Sequence, residues 1–245
     1  MATTRIALVT GGAKGIGRAI GLALAERGWD VALCYRTSEA AAAEVCTAVE
    51  RAGGRALGLA RDVSDPAQVT DLVAQVSARL GPVDALIHAA GPYHRVDLLA
   101  ETDEGWRAMF ASNLDSLFYC ARAVAPAMIE RRWGRIIAFG MANADRLQAQ
   151  PQITAHYLAK AGVLGLVRSL AKVLAPHGIT ANAISPGFIA SGSAPAEELA
   201  RMVKNIPAGT IGTLADALHA ALYLLSDEAG YVNGSNIHLS GGWGI

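Results

Sequence analysis

Short apolar runs alternate with longer stretches in which apolar residues recur at helical spacing along the chain. The first run ends at Thr10-Gly11-Gly12, and the helical pattern that follows stops at Gly28. We predict strands at residues 6–9, 31–35, 55–60, 85–88, 135–139, 180–184 and 236–239. The helical patterns cover residues 15–27, 39–52, 67–80, 102–132, 154–175 and 214–225.

This alternation is typical of the α/β class. It predicts a Rossmann-like, doubly wound fold, in which a seven-stranded parallel sheet carries helices on both faces and is joined by right-handed crossovers. Pro66 suits a helix start capped by Ser64 or Asp65, and Pro126 is expected to bend the long helix over 102–132. Without repeats or a linker, residues 1–245 are predicted to form one domain.

Composition and charge indicate which classes of partner and which compartment to expect. Lys and Arg number 21, as do Asp and Glu, so the zero net charge predicts neither a nucleic-acid partner nor an anionic membrane partner. Three cysteines without CxxC spacing fit buried thiols in a reducing compartment, and no metal motif is present. No signal pattern or membrane-length apolar run is seen, so we expect a cytoplasmic protein.

The turn at residues 10–17, Thr-Gly-Gly-Ala-Lys-Gly-Ile-Gly, lies between the first strand and the first helix. Backbone N–H groups and the helix dipole at such a turn can bind a pyrophosphate, and glycines permit its close approach. A merely structural turn is the alternative. The candidate cofactor residues here are Gly11, Lys14, Gly15, Ile16 and Gly17.

The end of the second strand bears on the choice of nucleotide. An NAD site places an acidic residue there for the ribose hydroxyls, whereas this chain has Arg36. The guanidinium of Arg36, together with Lys14, suits a 2′-phosphate, so the predicted cofactor is NADP(H). Two solvated surface charges are the alternative interpretation.

These motifs resemble those of the short-chain dehydrogenase/reductase family, most of all its 3-oxoacyl-[acyl carrier protein] reductase branch. The resemblance covers the whole chain. The pieces that carry it are the glycine turn at 10–17, Asp62-Val63, Asn113-Leu114, Lys160-Ala161-Gly162, the segment 185–189 and the ending 237–242.

The resemblance implies roles for further residues. It implies that the adenine contacts Asp62 and Val63, that Lys160 binds the nicotinamide ribose and that Asn113 supports a proton relay to this lysine. It adds to the cofactor site a segment after the fourth strand and the carboxamide-binding backbone, which here are Ala90, Gly91, Pro186, Gly187 and Ile189. It further implies a small-molecule substrate and a homotetramer.

The chain departs from the family pattern at its catalytic residues. Met141 stands where the family has its catalytic Ser, and the loop at 142–153 is about two residues longer than the family spacing. Asn143 and Asp145 in this loop are interpreted as surface residues, with a polar contribution to the cleft as the alternative. His88-Ala89 replaces a pair of asparagines, and we interpret His88 as a structural residue at the end of a strand.

The second departure concerns the helix that carries Lys160. The family Tyr precedes this lysine by four residues, where this chain has His156; Tyr157 lies one place later. Residues four apart share a helical face, whereas neighbours differ by about 100°. We therefore predict that His156, Lys160 and Asn113 form the catalytic set and that Tyr157 points elsewhere as a structural residue.

A neutral imidazole can still polarise a carbonyl, but Met141 supplies no second donor, so ordinary ketone reduction should be much impaired. On the substrate side, Tyr93 or His94 can contact a ligand or form an ordered surface loop. Residues 188–210 are expected to form a substrate lid with glycine pivots and a short helix from 196 to 204.

The sequence is consistent with three functions. The favoured one is an NADP(H)-dependent oxidoreductase with an atypical site that reduces a carbonyl or imine-like small molecule. The second is a catalytically silent, NADP(H)-binding subunit in a hetero-oligomer with a paralogous reductase. The third is a non-redox lyase or isomerase with His156 as base.

Overall fold

A computed structural model of the chain describes residues 4–192 and 196–245. Seven parallel strands form one sheet in the order β3-β2-β1-β4-β5-β6-β7. The strands are β1 Ile6–Thr10, β2 Asp30–Tyr35, β3 Ala56–Ala60, β4 Ala85–His88, β5 Gly134–Phe139, β6 Ile179–Pro186 and β7 Asn236–Leu239. The doubly wound fold class is confirmed, because the order reverses between β1 and β4, where such sheets bind ligands.

Helices cover both faces of the sheet. They are α1 Gly15–Ala25, α2 Glu39–Arg51, α3 Pro66–Arg79, α4 Asp103–Phe110, α5 Ser116–Arg131, α6 Thr154–Leu174, α7 Ala196–Met202 and α8 Leu214–Leu225. Asp65 caps α3 by accepting from the N–H of Ala67, as one of the two predicted caps.

Two apolar layers hold the sheet between the helices. Residues of α3, α5 and α6 pack against one face, and residues of α1, α2 and α8 pack against the other. The strands are therefore buried on both sides, which explains their nearly continuous apolar runs. This packing fixes the carboxyl ends of the strands, and with them the loops that follow, at one edge.

The stretch over 102–132 is helical from Asp103 to Arg131, as predicted, but it contains one irregularity that the sequence did not reveal. A π-helical segment, Ala111–Asp115, separates α4 from α5, and Pro126 lies within α5. The hydroxyl of Ser116 donates to the Ser112 carbonyl at 2.8 Å and lies 3.0 Å from Nε2 of His88. Single π-helical turns of this kind recur at functional sites, and this one contains Asn113.

Among the described residues, no helix has the length and apolar character needed to cross a bilayer. In the same part of the chain, no three His, Cys, Asp or Glu side chains come together as metal ligands would. The predicted lid includes residues 193–195, which lie outside the described residues; of its remainder, residues 196–205 are helical.

Candidate active site at the carboxyl edge of the sheet

The glycine turn between β1 and α1 is closely packed. A Cβ on Gly17 would lie 2.6 Å from the Gly11 carbonyl oxygen, and one on Gly12 would lie 2.7 Å from the Leu33 side chain. Gly15 has φ +53°, a left-handed conformation that favours glycine, and a Cβ there would meet only atoms 3.8 Å or more away. The turn thus presents open space to a ligand at Gly15 and a tight backbone behind it.

The start of α1 carries no side-chain cap. Lys14 is the N-cap residue, and its side chain makes no capping hydrogen bond to the N–H groups of the first turn. The Thr10 hydroxyl accepts from the Ala90 N–H at 3.0 Å and joins the turn to the segment after β4. This arrangement fits a pyrophosphate at the helix N-terminus.

A cleft of about 310 Å³ opens beside this turn. It brings together seven residues predicted from the sequence: Gly11, Lys14, Arg36, Asp62, Val63, Ala90 and Gly91. Cys34, Tyr35, Arg61 and Ser112 also line it and were missed, because they carry no motif and reach the cleft only through the fold.

The charges in this cleft favour an anion. The side chain of Arg36 is 67% exposed, and its guanidinium lies 3.9 Å from an oxygen of Asp62. The other Asp62 oxygen accepts from the backbone N–H and hydroxyl of Ser64. The Arg61 guanidinium donates to the Asp71 carboxylate at 2.5 Å. A long, exposed ion pair is worth little, so Arg36 remains available to a phosphate near Lys14.

The remaining predicted cofactor residues do not line this cleft. Ile16 and Gly17 belong to the first turn of α1. Pro186 ends β6, the Gly187 N–H donates to the Leu239 carbonyl, and Ile189 is buried in a bridge to Gly212.

Lys160 lies on the inner face of α6, 7% exposed, and its ammonium donates to the Phe139 carbonyl at 2.8 Å. Burial lowers the pKa of Lys160 to about 8. A Cβ on Gly91 would lie 3.1 Å from this ammonium and 2.5 Å from Oδ1 of Asn113. Gly91 therefore leaves room for both groups beside the cleft.

His156 lies one helical turn before Lys160 and is also buried. Burial, and secondly the charge of Lys160, lower the pKa of His156 to about 4, and the neighbouring Pro92 backbone partly opposes this shift. The Tyr93 ring meets the imidazole edge-on, with ring centroids 5.2 Å apart. The imidazole is therefore neutral at pH 7.

Tyr157 is 2% exposed, and its hydroxyl is occupied by the loop after β5. It donates to the Asn143 carbonyl at 2.9 Å and accepts from the Gln148 N–H at 2.8 Å. The ring belongs to the core between α5 and α6. Tyr157 thus holds the loop and serves the structure.

The interpretation of Asn143 as a surface residue is wrong. Its side chain is buried, its φ is +63°, and its Oδ1 has no hydrogen-bond partner. Asp145 is exposed and contacts Nε2 of His238 at 3.1 Å. Met141 is partly buried against the core and brings no donor to this edge.

On the substrate side, Tyr93 is 59% exposed, whereas Nε2 of His94 lies 2.7 Å from the Glu101 carboxylate. Leu98 and Val96 donate backbone hydrogen bonds to Pro151 and Gln152, so the loop after β4 is joined to the loop before α6. His88 is buried at the end of β4, and burial, with the charge of Lys160 second, lowers its pKa to about 3. It is a neutral partner of Ser116.

Comparison with known proteins decides the family. A family model described as enoyl-(acyl carrier protein) reductase matches residues 11–244. The chain belongs to the short-chain dehydrogenase/reductase family. It is 36% identical over 241 residues to the 3-oxoacyl-[acyl-carrier-protein] reductase FabG of Haemophilus influenzae, covering 97% of each chain. To FabG of Escherichia coli it is 37% identical over 246 residues, covering 97% of this chain and 96% of the relative.

A solved structure of acetoin dehydrogenase YohF from Salmonella typhimurium superposes with a TM-score of 0.90 at 29% identity, covering 98% of this chain and 96% of the other. The resemblance found in the sequence is thereby confirmed at the level of the family. The chain is an oxidoreductase of this family related to FabG.

Proposed function

We propose that this short-chain dehydrogenase/reductase is an NADP(H)-dependent oxidoreductase that reduces a carbonyl or imine-like small molecule. The observation that carries the proposal is the pair of buried, inward-facing side chains His156 and Lys160, one helical turn apart beside the glycine turn and Gly91. Such perturbed, paired groups in a cleft are typical of active sites.

The residues of the glycine turn and the cleft suit the dinucleotide. The N–H groups at the start of α1 would hold its pyrophosphate, Asp62 and Val63 its adenine end, and Arg36 with Lys14 its 2′-phosphate. Lys160 would bind the nicotinamide ribose, with Asn113 supporting it. When bound, the nicotinamide supplies or accepts a hydride.

Few side chains at this site can donate a proton to the reacting heteroatom. Lys160 is cationic at neutral pH and disfavours a second positive charge on His156. His156 acts as a neutral, orienting hydrogen-bond partner for the reacting heteroatom. Met141 gives no second hydrogen bond, which typically costs about 10²–10³ in rate for a ketone.

Turnover by the wild type, His156→Ala and a His156→Tyr, Met141→Ser double variant tests this function. NADPH binding is followed by fluorescence, and NADPH oxidation is measured with acetoacetyl thioesters and a panel of ketones and imines. We expect tight NADPH binding, wild-type turnover of at least one panel member and its loss in His156→Ala. Cofactor binding without turnover of any member would refute the proposal.

A catalytically silent, NADP(H)-binding subunit is the second candidate. Two observations favour it. Met141 stands where the family has its catalytic serine, and the Tyr157 hydroxyl is hydrogen-bonded to the loop after β5. Purification from the native cell distinguishes the two: a second reductase chain in the complex favours the silent subunit, whereas an active homo-oligomer excludes it.

For assembly we propose the homotetramer implied by the family resemblance, in the cytoplasm. Partly exposed Phe118 and Leu158 on α5 and α6 support a contact between copies of the chain. Light scattering of the purified protein measures the subunit number, and a monomer at micromolar concentration would refute this assembly.

A further inference from the structure

The π-helical turn Ala111–Asp115 changes the donor of one backbone carbonyl. In an α-helix the Ser116 N–H would donate to the carbonyl of Ser112, four residues earlier. Here it donates to the Ala111 carbonyl, five residues earlier. The Ser116 hydroxyl donates to the Ser112 carbonyl instead, at 2.8 Å. This side chain therefore replaces the backbone donor that the extra residue in the turn displaces.

His88 fixes the direction of this hydroxyl. Its Nε2 lies 3.0 Å from Oγ of Ser116, and both side chains are buried. A serine hydroxyl has one proton, which here goes to the Ser112 carbonyl, so Oγ accepts from the imidazole and Nε2 is the donor. Burial, and secondly the charge of Lys160, lower the pKa of His88 to about 3. The ring is therefore neutral, with its single proton on Nε2.

Ser169 shows that such a serine does not make a π-helical turn by itself. Its hydroxyl also donates to a carbonyl four residues earlier, that of Gly165, at 3.1 Å, within the regular helix α6. Ser169 is exposed, and no imidazole of the described residues bonds to it. The exposed hydroxyl is free to rotate toward water, whereas the buried imidazole of His88 holds the Ser116 hydroxyl in one orientation.

The π-helical turn sets the position of Asn113, which is fully buried within it. Nδ2 of Asn113 donates to the Met109 carbonyl at 3.0 Å and to the Pro92 carbonyl at 3.2 Å. Its Oδ1 is buried and has no partner among the described residues. This oxygen and the Lys160 ammonium both lie close to Gly91, so they border the same point of the cleft.

Loss of the turn would move this amide. One residue more or fewer in a turn corresponds to a rotation of about 100° between the helical segments on its two sides. Such a rotation would take Asn113 away from Gly91 and Lys160. His88 is also the last residue of β4, so its imidazole joins the helix to the strand that leads into Ala90 and Gly91 of the cleft.

We infer that His88, acting through Ser116, is a positioning residue for cofactor binding, because it maintains the π-helical turn that places Asn113 beside Lys160. This inference rests on the proposed function, in which Lys160 and Asn113 hold the nicotinamide ribose. His88 itself stays buried below the cleft and takes no part in hydride transfer.

Substitutions of His88 test the inference through NADPH affinity, measured by fluorescence titration well below the unfolding temperature of each variant. His88→Leu removes the N–H and should raise the Kd for NADPH about tenfold, as for loss of one coupled contact. His88→Gln carries an N–H at similar reach and should stay within about threefold of the wild type. Ser169→Ala, the matched control, should bind as the wild type does. An unchanged Kd in His88→Leu, or equal losses in both His88 variants, would overturn the inference.

A double-mutant cycle with Asn113→Ala shows whether His88 acts through this amide. If it does, adding His88→Leu to Asn113→Ala should weaken NADPH binding by no more than about twofold beyond Asn113→Ala alone. Two independent tenfold effects, as a merely structural role of His88 predicts, would multiply to about a hundredfold. That result would refute the positioning role.

A measurement without cofactor separates this inference from the proposed function. The side-chain amide protons of Asn113, identified by NMR through their loss in Asn113→Ala, should be protected from solvent exchange in the wild type and in Ser169→Ala, because Nδ2 is buried and paired. They should lose this protection in His88→Leu and, should that variant not fold, in Ser116→Ala. Retained protection would overturn the inference even if NADPH binds. Lost protection in a protein whose wild type does not bind NADPH would overturn the proposed function and leave the control of Asn113 by His88 standing.

Discussion

The strongest test of the assignment on α6 is a crossed pair of substitutions at its two adjacent aromatic residues. Tyr157→Phe removes one hydroxyl and retains the ring that packs in the core. His156→Phe removes the imidazole beside Lys160. If the helix face decides function, the first variant should lose stability and the second should lose activity.

The cost of Tyr157→Phe follows from its two hydrogen bonds. The Gln148 N–H loses its acceptor, whereas the Asn143 carbonyl retains a second donor, the Arg146 N–H at 3.0 Å. One unsatisfied N–H and one lost bond together cost about 2 kcal/mol. For a chain of this size that corresponds to a fall in Tm of about 4–8 °C.

His156→Phe should cost less stability than Tyr157→Phe but more activity. The substitution keeps an aromatic ring at a buried position. The expected loss of stability is therefore about 1 kcal/mol. NADPH-dependent turnover should fall about a hundredfold or more, as for removal of a well-placed hydrogen-bond partner of the reacting heteroatom.

The assay combines thermal unfolding by circular dichroism with NADPH oxidation for the wild type and both variants. Tyr157→Phe should retain at least a third of wild-type kcat. A Tyr157→Phe variant that unfolds at the wild-type temperature and has lost turnover would show that Tyr157 reaches the substrate, and the helix-face argument would then be wrong.

Three further outcomes are expected. Arg36→Asp should weaken NADPH binding by about ten- to a hundredfold and leave NADH binding within a few-fold, measured by fluorescence titration; equal losses for both would contradict the 2′-phosphate assignment. The pKa of His156 is about 4 in the folded protein, against an ordinary 6.5. The buried neutral imidazole therefore contributes stability that is fully present above pH 6.5 and is lost as the pH falls toward 4. Between pH 7 and 4.5, the free energy of urea unfolding should fall by about 2–3 kcal/mol less in His156→Phe than in the wild type. An equal loss would show that the imidazole is not buried. Gly91→Ala would place a methyl group 2.5 Å from Oδ1 of Asn113 and should raise the KM for NADPH at least tenfold, and unchanged kinetics would show that Gly91 does not border the cofactor.

The sequence was sufficient for the architecture because its signals are periodic. The apolar runs of β4 and β7 have the predicted bounds, and the other strands differ by two residues or fewer at each end. The π-helical segment was missed, since a single inserted turn leaves the helical spacing on each side intact. Ser116, which directly follows the segment, contacts His88, a residue 28 positions earlier in the chain.

At the candidate site, counting four residues back from Lys160 was enough to distinguish His156 from Tyr157. The counting did not reveal what occupies the Tyr157 hydroxyl. That depended on the left-handed backbone of Asn143, which buries this residue and turns its carbonyl toward the helix. A loop conformation of this kind has no apolar period from which to predict it.

The sequence by itself therefore determined the sheet, the glycine turn, the cation at Arg36 and the helix face shared by His156 and Lys160, because each follows from local spacing or residue type. Only the tertiary structure decided what occupies the Tyr157 hydroxyl, since its partners are the Asn143 carbonyl and the Gln148 N–H of a loop that the fold packs against α6. Local spacing identifies the side chain on each helix face, and contacts with other segments determine which of its polar atoms already have a partner.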